Sequence, residues 1–232
     1  MKEKRKKLVV LTGAGMSAES GLATFRGSGG LWEGHKVQDV ATPEAWMRDP
    51  AMVLDFYNYR RGELIHAKPN QGHLILAELE KEFDVQIITQ NVDNLHEKAG
   101  STQVLHIHGE LMKVRSTGPG EEVFELTEDN YKTTMGDNCP KGHQLRPHIV
   151  WFGEAVPLVE DAMQLVEQAD IFLIVGTSMQ VYPAAGLIHY VPSGVPVYVI
   201  DPNEIAFAGR DVTVIQKGAS EGMKELKKLL AL

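Results

Sequence analysis

Apolar and polar positions alternate along this chain with two different periods, and the switch between them predicts its elements. LVVLTG (8–13) is an unbroken apolar run entering a tight turn, as a parallel strand covered on both faces would be. PAMVLDFYNYRRGELIHA (50–67) starts at a proline and repeats its apolar positions at three and four, which predicts a helix. NQGHLILAELEKEF (70–83) predicts a second helix under an asparagine cap. A strand at 85–89, a helix at 93–99, a strand at 103–107, an amphipathic helix at 158–169 and a strand at 171–178 follow. Strands at 195–201 and 212–217 and a helix at 220–231 complete the pattern. Strands alternating with helices predict an α/β class with a doubly wound parallel sheet.

Residues 111–146 break this rhythm. They hold the densest turn signals, STGPGEE and MGDNCPKGH. They read as part of a small inserted module, with 27–72 as its helical half. Residues 1–26, 73–110 and 147–232 are left for the sheet domain. The loop 26–42, RGSGGLWEGHKVQDVAT, resembles a lid: its glycines permit motion and Trp32 can cover a ligand.

Composition narrows the class further. The 232 residues are 43% apolar and 23% charged, an ordinary globular balance with room for one good core. No apolar run is long enough to cross a bilayer. The start, MKEKRKKLVVLTGAG, is basic and then apolar, but its apolar part runs at once into a glycine loop. It reads as a solvated tip on a first strand and not as a signal peptide. The single Cys139 excludes an internal disulfide and favours a reducing compartment, so a cytoplasmic location is expected. A net charge of −8 argues against general nucleic-acid affinity.

The candidate chemistry is concentrated past strand ends. TQNVDNLHEKAG (89–100) and LHIHGE (105–110) bring Gln90, Asn91, Asp93 and the pair His108-Gly109 close together in sequence. Open α/β sheets place their chemistry just beyond the carboxyl ends of their strands. Gly13-Ala14-Gly15-Met16-Ser17-Ala18 fits G-x-G-x-x-A directly after a strand, where glycines let a backbone approach a pyrophosphate. Alone, it is equally well a tight strand-to-helix turn. A dehydrogenase also needs an acidic residue ending the next strand, and the loop GSGGLWEGHK supplies no such strand. His106 and His108 lie two apart at a strand end and so face the same way. Either could be structural, but His108 at the strand terminus is better placed as a base. GTSMQVYPAAGL (176–187) is a further strand-loop-helix switch in which Thr177 and Ser178 offer donors to phosphate or ribose. Tyr57 and Arg60 share a helix face and suit a carboxylate, although from these residues alone a packed tyrosine beside a solvated arginine is the preferred reading. Cys139-Pro140-Lys141-Gly142-His143 is half of a metal knuckle, but KVRSTGPG (113–120) offers no second pair, so no metal is expected.

Together these segments resemble the sirtuin family of NAD-dependent protein lysine deacylases. The resemblance rests on GAGMSAESGLATFRG (13–27), TQNVDNLHEKAG, HIHGE, RPHIVWFGE (146–154) and GTSMQVYPAAGL, in that order. It implies a Rossmann-like domain with a small helical and ribbon-like module. It implies that Gly13, Ala14, Gly15, Ser17, Phe25, Arg26 and Trp32 line an NAD site. Gln90, Asn91, Val92 and Asp93 would hold ribose and nicotinamide amide, with His108 as general base and Asn91 counted with it as catalytic. Gly176, Thr177 and Ser178 would bind phosphate and ribose, and Asp201, Pro202, Asn203 and Ala219 would flank the adenosine. Val150, Phe152, Gly153 and Glu154 would pair with an acyl-lysine protein substrate, added as a strand. The implied products are free lysine, nicotinamide and 2′-O-acyl-ADP-ribose. A mono-ADP-ribosyltransferase and a non-catalytic NAD sensor are the competing readings.

Three departures qualify the resemblance. Ala23-Thr24 stands where many members read Pro-Asp. With Tyr57 and Arg60 as Y-x-x-R, this resembles the subgroup that removes succinyl and malonyl groups. A cysteine quartet is also missing: Ser116 and Gly118 or Pro119 stand near the first pair, and Cys139 alone remains of the second. The module is expected to fold without zinc, through packing of Val123, Phe124, Leu126 and Tyr131.

Overall fold

The computed structural model describes residues 5–23, 31–32, 35–205 and 210–231, with backbone alone at 31–32. From the first strand, β1 (Lys7–Thr12), the chain passes through a short helix, α1 (Ala14–Ala18), and a two-stranded hairpin, β2 (Leu31–Trp32) and β3 (His35–Lys36). Helices α2 (Val37–Val40), α3 (Pro43–Arg48), α4 (Pro50–His66) and α5 (Gln71–Leu79) follow. Then come β4 (Asp84–Thr89), α6 (Leu95–Ala99) and β5 (Val104–His106). A second group, β6 (Gly109–Ser116), β7 (Val123–Glu125) and β8 (Leu145–Ile149), precedes α7 (Val159–Glu167) and β9 (Ile171–Val175). Strands β10 (Val197–Ile200) and β11 (Thr213–Ile215) and helix α8 (Ala219–Leu229) close the chain.

Six strands form one parallel sheet in the order β11-β10-β9-β1-β4-β5. Period-two alternation in β1 sends Leu8 and Val10 to one face, against Ile75 and Leu76 of α5 and Met223 and Leu226 of α8. Val9 and Leu11 go to the other face, against Ala162 and Val166 of α7. Both faces are therefore covered, and the expected α/β doubly wound, Rossmann-like class is the one observed. The chain leaves β1 for β4 and β5 on one side and returns to β9 on the other. That reversal sets a switch point between β1 and β9.

Local chemistry explains the helix starts. Thr42 accepts from Ala45 N at 3.1 Å to cap α3, and Asp49 accepts from Met52 N at 3.0 Å to cap α4, whose first residue is Pro50. Asn70 and His73 exchange bonds at the start of α5 in a capping box.

The remaining strands form an antiparallel sheet, β7-β6-β8, packed on α4 through Tyr57, Leu64, Leu111, Ile149 and Trp151. The domain breaks expected at 110/111 and 146/147 fall inside β6 and β8, so the small sheet extends from 109 to 149. Val123 is 46% exposed and does not supply the packing expected of it. Polar bonding does much of that work. The wholly buried Arg61 donates to Leu111 O at 2.7 Å and Asn58 Oδ1 at 3.0 Å, and Asn58 bonds both the amide and the carbonyl of Thr133. Gln144 Nε2 ties down the carbonyls of Thr134, Asp137 and Leu145. Two further boundaries differ from expectation. The helix of 70–83 ends at Leu79, and the segment after Pro183 is a 3₁₀ helix, Ala184–Tyr190. Among the described residues, no helix is long and apolar enough to cross a membrane.

Candidate active site

Four strand ends build the floor. The turn after β1 and the turn after β9 touch backbone to backbone: Gly15 N donates to Gly176 O at 2.8 Å, and Gly13 N donates to Val175 O at 3.0 Å. A Cβ on Gly15 would lie 2.7 Å from Gly176 Cα, and Gly176 itself has φ +62°, so glycine is needed at both positions. The Gly15 amide is thus engaged inside the fold, and what it gives the site is close approach. Gln90 joins the floor from β4. Its amide donates to Thr12 O at 2.9 Å, and its side chain donates to Thr177 Oγ1 at 3.0 Å.

Beneath this floor lies a buried polar cluster. Asn91 Nδ2 donates to Gly13 O at 3.0 Å and to Ser17 Oγ at 3.2 Å. Ser17 Oγ donates to Asp93 Oδ2 at 2.9 Å, and Leu95 N donates to Asp93 Oδ1 at 3.1 Å. Burial raises the Asp93 pKa, and these two donors partly offset the rise. Sequence reasoning missed two members, His73 and His96, whose rings meet edge to face at 4.9 Å. Burial lowers the His73 pKa to about 4, and it drives that of His96 well below the ordinary value, so both are neutral. His96 stands inside the TQNVDNLHEKAG segment and His73 at the third helical position after Asn70. Neither carries a local sign that it will be buried.

His106 and His108 do not alternate as a strand would place them. Strand β5 ends at His106, and His108 lies in a two-residue turn before β6. His106 Nδ1–H donates to Asn91 O at 3.0 Å and Nε2–H to Glu97 Oε1 at 2.7 Å. Burial opposes its charge, but the Glu97 bond and charge outweigh that and raise its pKa. His106 is therefore structural. His108 Nδ1 lies 3.2 Å from Gln90 O. A carbonyl only accepts, so Nδ1 carries the proton and Nε2 presents its lone pair. Burial lowers the His108 pKa against the weaker pull of that carbonyl, which keeps the ring neutral near pH 7. This is the arrangement a general base needs.

The other wall comes from α4 and the segment after β8. Tyr57 is fully buried and accepts a bond from Trp151 Nε1 at 3.0 Å. Burial pushes its phenol up to about 12. Arg60 is only 9% exposed, so the solvated alternative for this residue does not hold. Arg60, Arg61 and Arg146 all act electrostatically on Tyr57, so its surroundings are positive. Val150 N donates to His108 O, Phe152 N to Ala41 O and Glu154 N to Trp151 O, each at 3.0 Å. The Glu154 carboxylate is held by Arg146 at 2.7 Å and Arg115 at 3.2 Å. Gly153 is exposed, with φ +94°.

Other expected site residues divide into three groups. Ala14, Val92 and Ser178 border the floor at the same strand ends, half-buried. Asp201 directly follows β10 and accepts from Asn203 N at 2.9 Å and Nδ2 at 3.0 Å, closing its own turn beside the exposed Pro202. The Ala219 side chain is buried against the position of Gly72, inside the main core. Phe25 and Arg26, with Thr24, lie outside the described residues, as does the side chain of Trp32. In the small module, Ser116 Oγ donates to Cys139 Sγ at 3.3 Å, and the His143 ring packs over Gly118.

Fold and floor together define the class. The Sir2 family model matches residues 13–183, and the chain belongs to that family. It is 59% identical over 229 residues to an NAD-dependent protein deacylase of Bacteroides thetaiotaomicron, covering 97% of this chain and 98% of that one. It is 50% identical over 222 residues to an NAD-dependent protein deacylase of Helicobacter pylori, covering 95% and 96%. Among solved structures, a mutant Sir2 homologue bound to ADP-ribose superposes with a TM-score of 0.88 at 41% identity, over 98% of this chain and 94% of that one. A Sir2 homologue–NAD complex gives 0.86 at 40% identity, over 98% and 90%.

Proposed function

We propose that this protein is an NAD-dependent protein deacylase acting on acyl-lysine side chains, with succinyl and malonyl groups favoured over acetyl. The observation that carries the reaction is His108, neutral and with Nε2 unprotonated, beside the Gly13–Asn91–Ser17–Asp93 cluster at the switch point. NAD, when bound, would supply an activated ribose carbon to the acyl oxygen, with nicotinamide as the leaving group. Asn91 and the close backbone approach at Gly13 and Gly15 orient the sugar, and His108 takes the proton of a ribose hydroxyl. Gly176, Thr177 and Ser178 serve phosphate and ribose. The Asp201–Asn203 turn would flank the adenosine. The segment 150–154 meets the substrate backbone through its carbonyls and the Gly153 amide, because its other four amides are already bonded within the chain.

The acyl preference is supported by buried Tyr57 and Arg60 in a positive interior. A carboxylate tip gains a charged partner there, and an acetyl group gains none. A net charge of −8 and a buried Cys139 fit a cytoplasmic enzyme without nucleic-acid or membrane partners. Turnover of matched acetyl, succinyl and malonyl peptides with NAD tests the reading, with mass spectrometry of the products. Free O-acyl-ADP-ribose is expected. ADP-ribosylated protein in its place would identify a transferase.

A further inference from the structure

Trp151 and Tyr57 are 94 positions apart in sequence, yet the indole Nε1–H donates to the phenol oxygen at 3.0 Å. Both side chains are buried, at 2% and 0% exposure, and the indole, which only donates, leaves the Tyr57 proton free to be given elsewhere. Trp151 is itself fixed from several sides. The Arg146 guanidinium lies 3.4 Å from its ring centroid, Glu154 Oε2 accepts its backbone N–H at 2.8 Å, and the Trp46 ring lies 5.8 Å away. Arg146 and Glu154 are paired at 2.7 Å, so the indole has little freedom to turn.

We propose that Trp151 is a positioning residue for acyl selection: its indole N–H fills the acceptor side of the Tyr57 hydroxyl, so the phenol meets an incoming acyl chain as a donor. A donor is matched by a carboxylate tip and left unsatisfied by a methyl tip, and an unsatisfied buried donor costs binding. Tyr57 stays protonated across the working pH range, because burial holds its pKa near 12. The device also couples two parts of the site. Trp151 belongs to the segment proposed to meet the peptide backbone, so the element that meets the peptide also sets the selector for the acyl group.

This inference rests on the dicarboxyl reading above, and the test separates the two. The 232-residue wild type, Trp151→Phe, Tyr57→Phe and the double variant are compared on succinyl and acetyl peptides with NAD. Trp151→Phe is expected to lose about five-fold in kcat/KM for succinyl, the scale of one neutral hydrogen bond, mostly through KM. Acetyl turnover should stay within about two-fold. The double variant should be no worse on succinyl than Tyr57→Phe alone, since the indole acts only through the phenol. Equal losses on both peptides, or additive losses in the double variant, would overturn the positioning role alone. A wild type that favours acetyl would overturn the dicarboxyl reading and this inference with it. Should Trp151→Phe fold poorly, benzothienylalanine at 151 keeps the indole shape without the N–H, and the same outcomes apply.

Discussion

Ser17 donates its hydroxyl to the Asp93 carboxyl at 2.9 Å, across 76 residues of sequence. The bond joins α1 to the loop after β4, and with Leu95 N it occupies both carboxyl oxygens from within the chain. Asp93 therefore organises the floor through Ser17 and Asn91. Ser17→Ala should cost about 1–3 kcal/mol of stability, the penalty for leaving a buried acceptor short of its donor. Thermal unfolding reads that loss, and a raised KM for NAD should accompany it.

His108→Ala should reduce deacylation by ~10²-fold or more while NAD affinity changes far less. The pH profile supplies a second check. The base works when neutral and its pKa is lowered, so activity should fall only as pH drops below about 6.5, the ordinary histidine value. The variant should lack that acid limb. Near-wild-type turnover in His108→Ala would remove this residue from the mechanism.

His73 gives a stability prediction. Its folded pKa is depressed to about 4, chiefly by burial, so between roughly pH 6.5 and 4 the unfolded chain binds a proton that the folded chain refuses. Stability should therefore decline as pH falls through that window, by ~3 kcal/mol at most from this residue. Asp93 and His106, with raised pKa values, act in the opposite sense. His73→Gln keeps a capping-box residue and should show a shallower acid slope in denaturant titrations. An unchanged slope would assign the acid sensitivity elsewhere.

Arg60→Met should abolish the succinyl-over-acetyl preference, mainly through KM, because a charge clamp binds ground and transition states alike. Identical succinyl kinetics in the two proteins would remove Arg60 from acyl recognition.

The small module bonds itself through Arg61, Asn58 and Gln144, and Cys139 pairs with Ser116. Purified protein should carry no stoichiometric zinc, and chelator should leave its melting temperature unchanged. Elemental analysis giving one zinc per chain would refute this.

The central strands were legible because β1 and β9 are apolar on both faces, a pattern that only a doubly covered sheet explains. The glycine turns, Gln90, Asn91, Asp93 and His108 were legible because strand ends concentrate chemistry. Relationships made at a distance were not. His73 and His96 look like surface residues on short helices until α5 and α6 close against each other. Arg61 carries no sign in the sequence of burial, yet it finds acceptors at Leu111, Asn58 and Thr133. The alternation rule misled at His106 and His108 because the strand stops between them, and no residue there announces a turn.

The contact between Gly15 and Gly176 also bears on how a ligand is received. Bonds from Gly15 to Gly176, Gln90 to Thr177 and Asn91 to Gly13 tie three adjacent strand ends into one block. Gly176 N reaches a fourth, through Ile200 O at 2.9 Å. Such a block is braced by the chain's own bonds, so a ligand meets a surface built in advance and adds no brace to it.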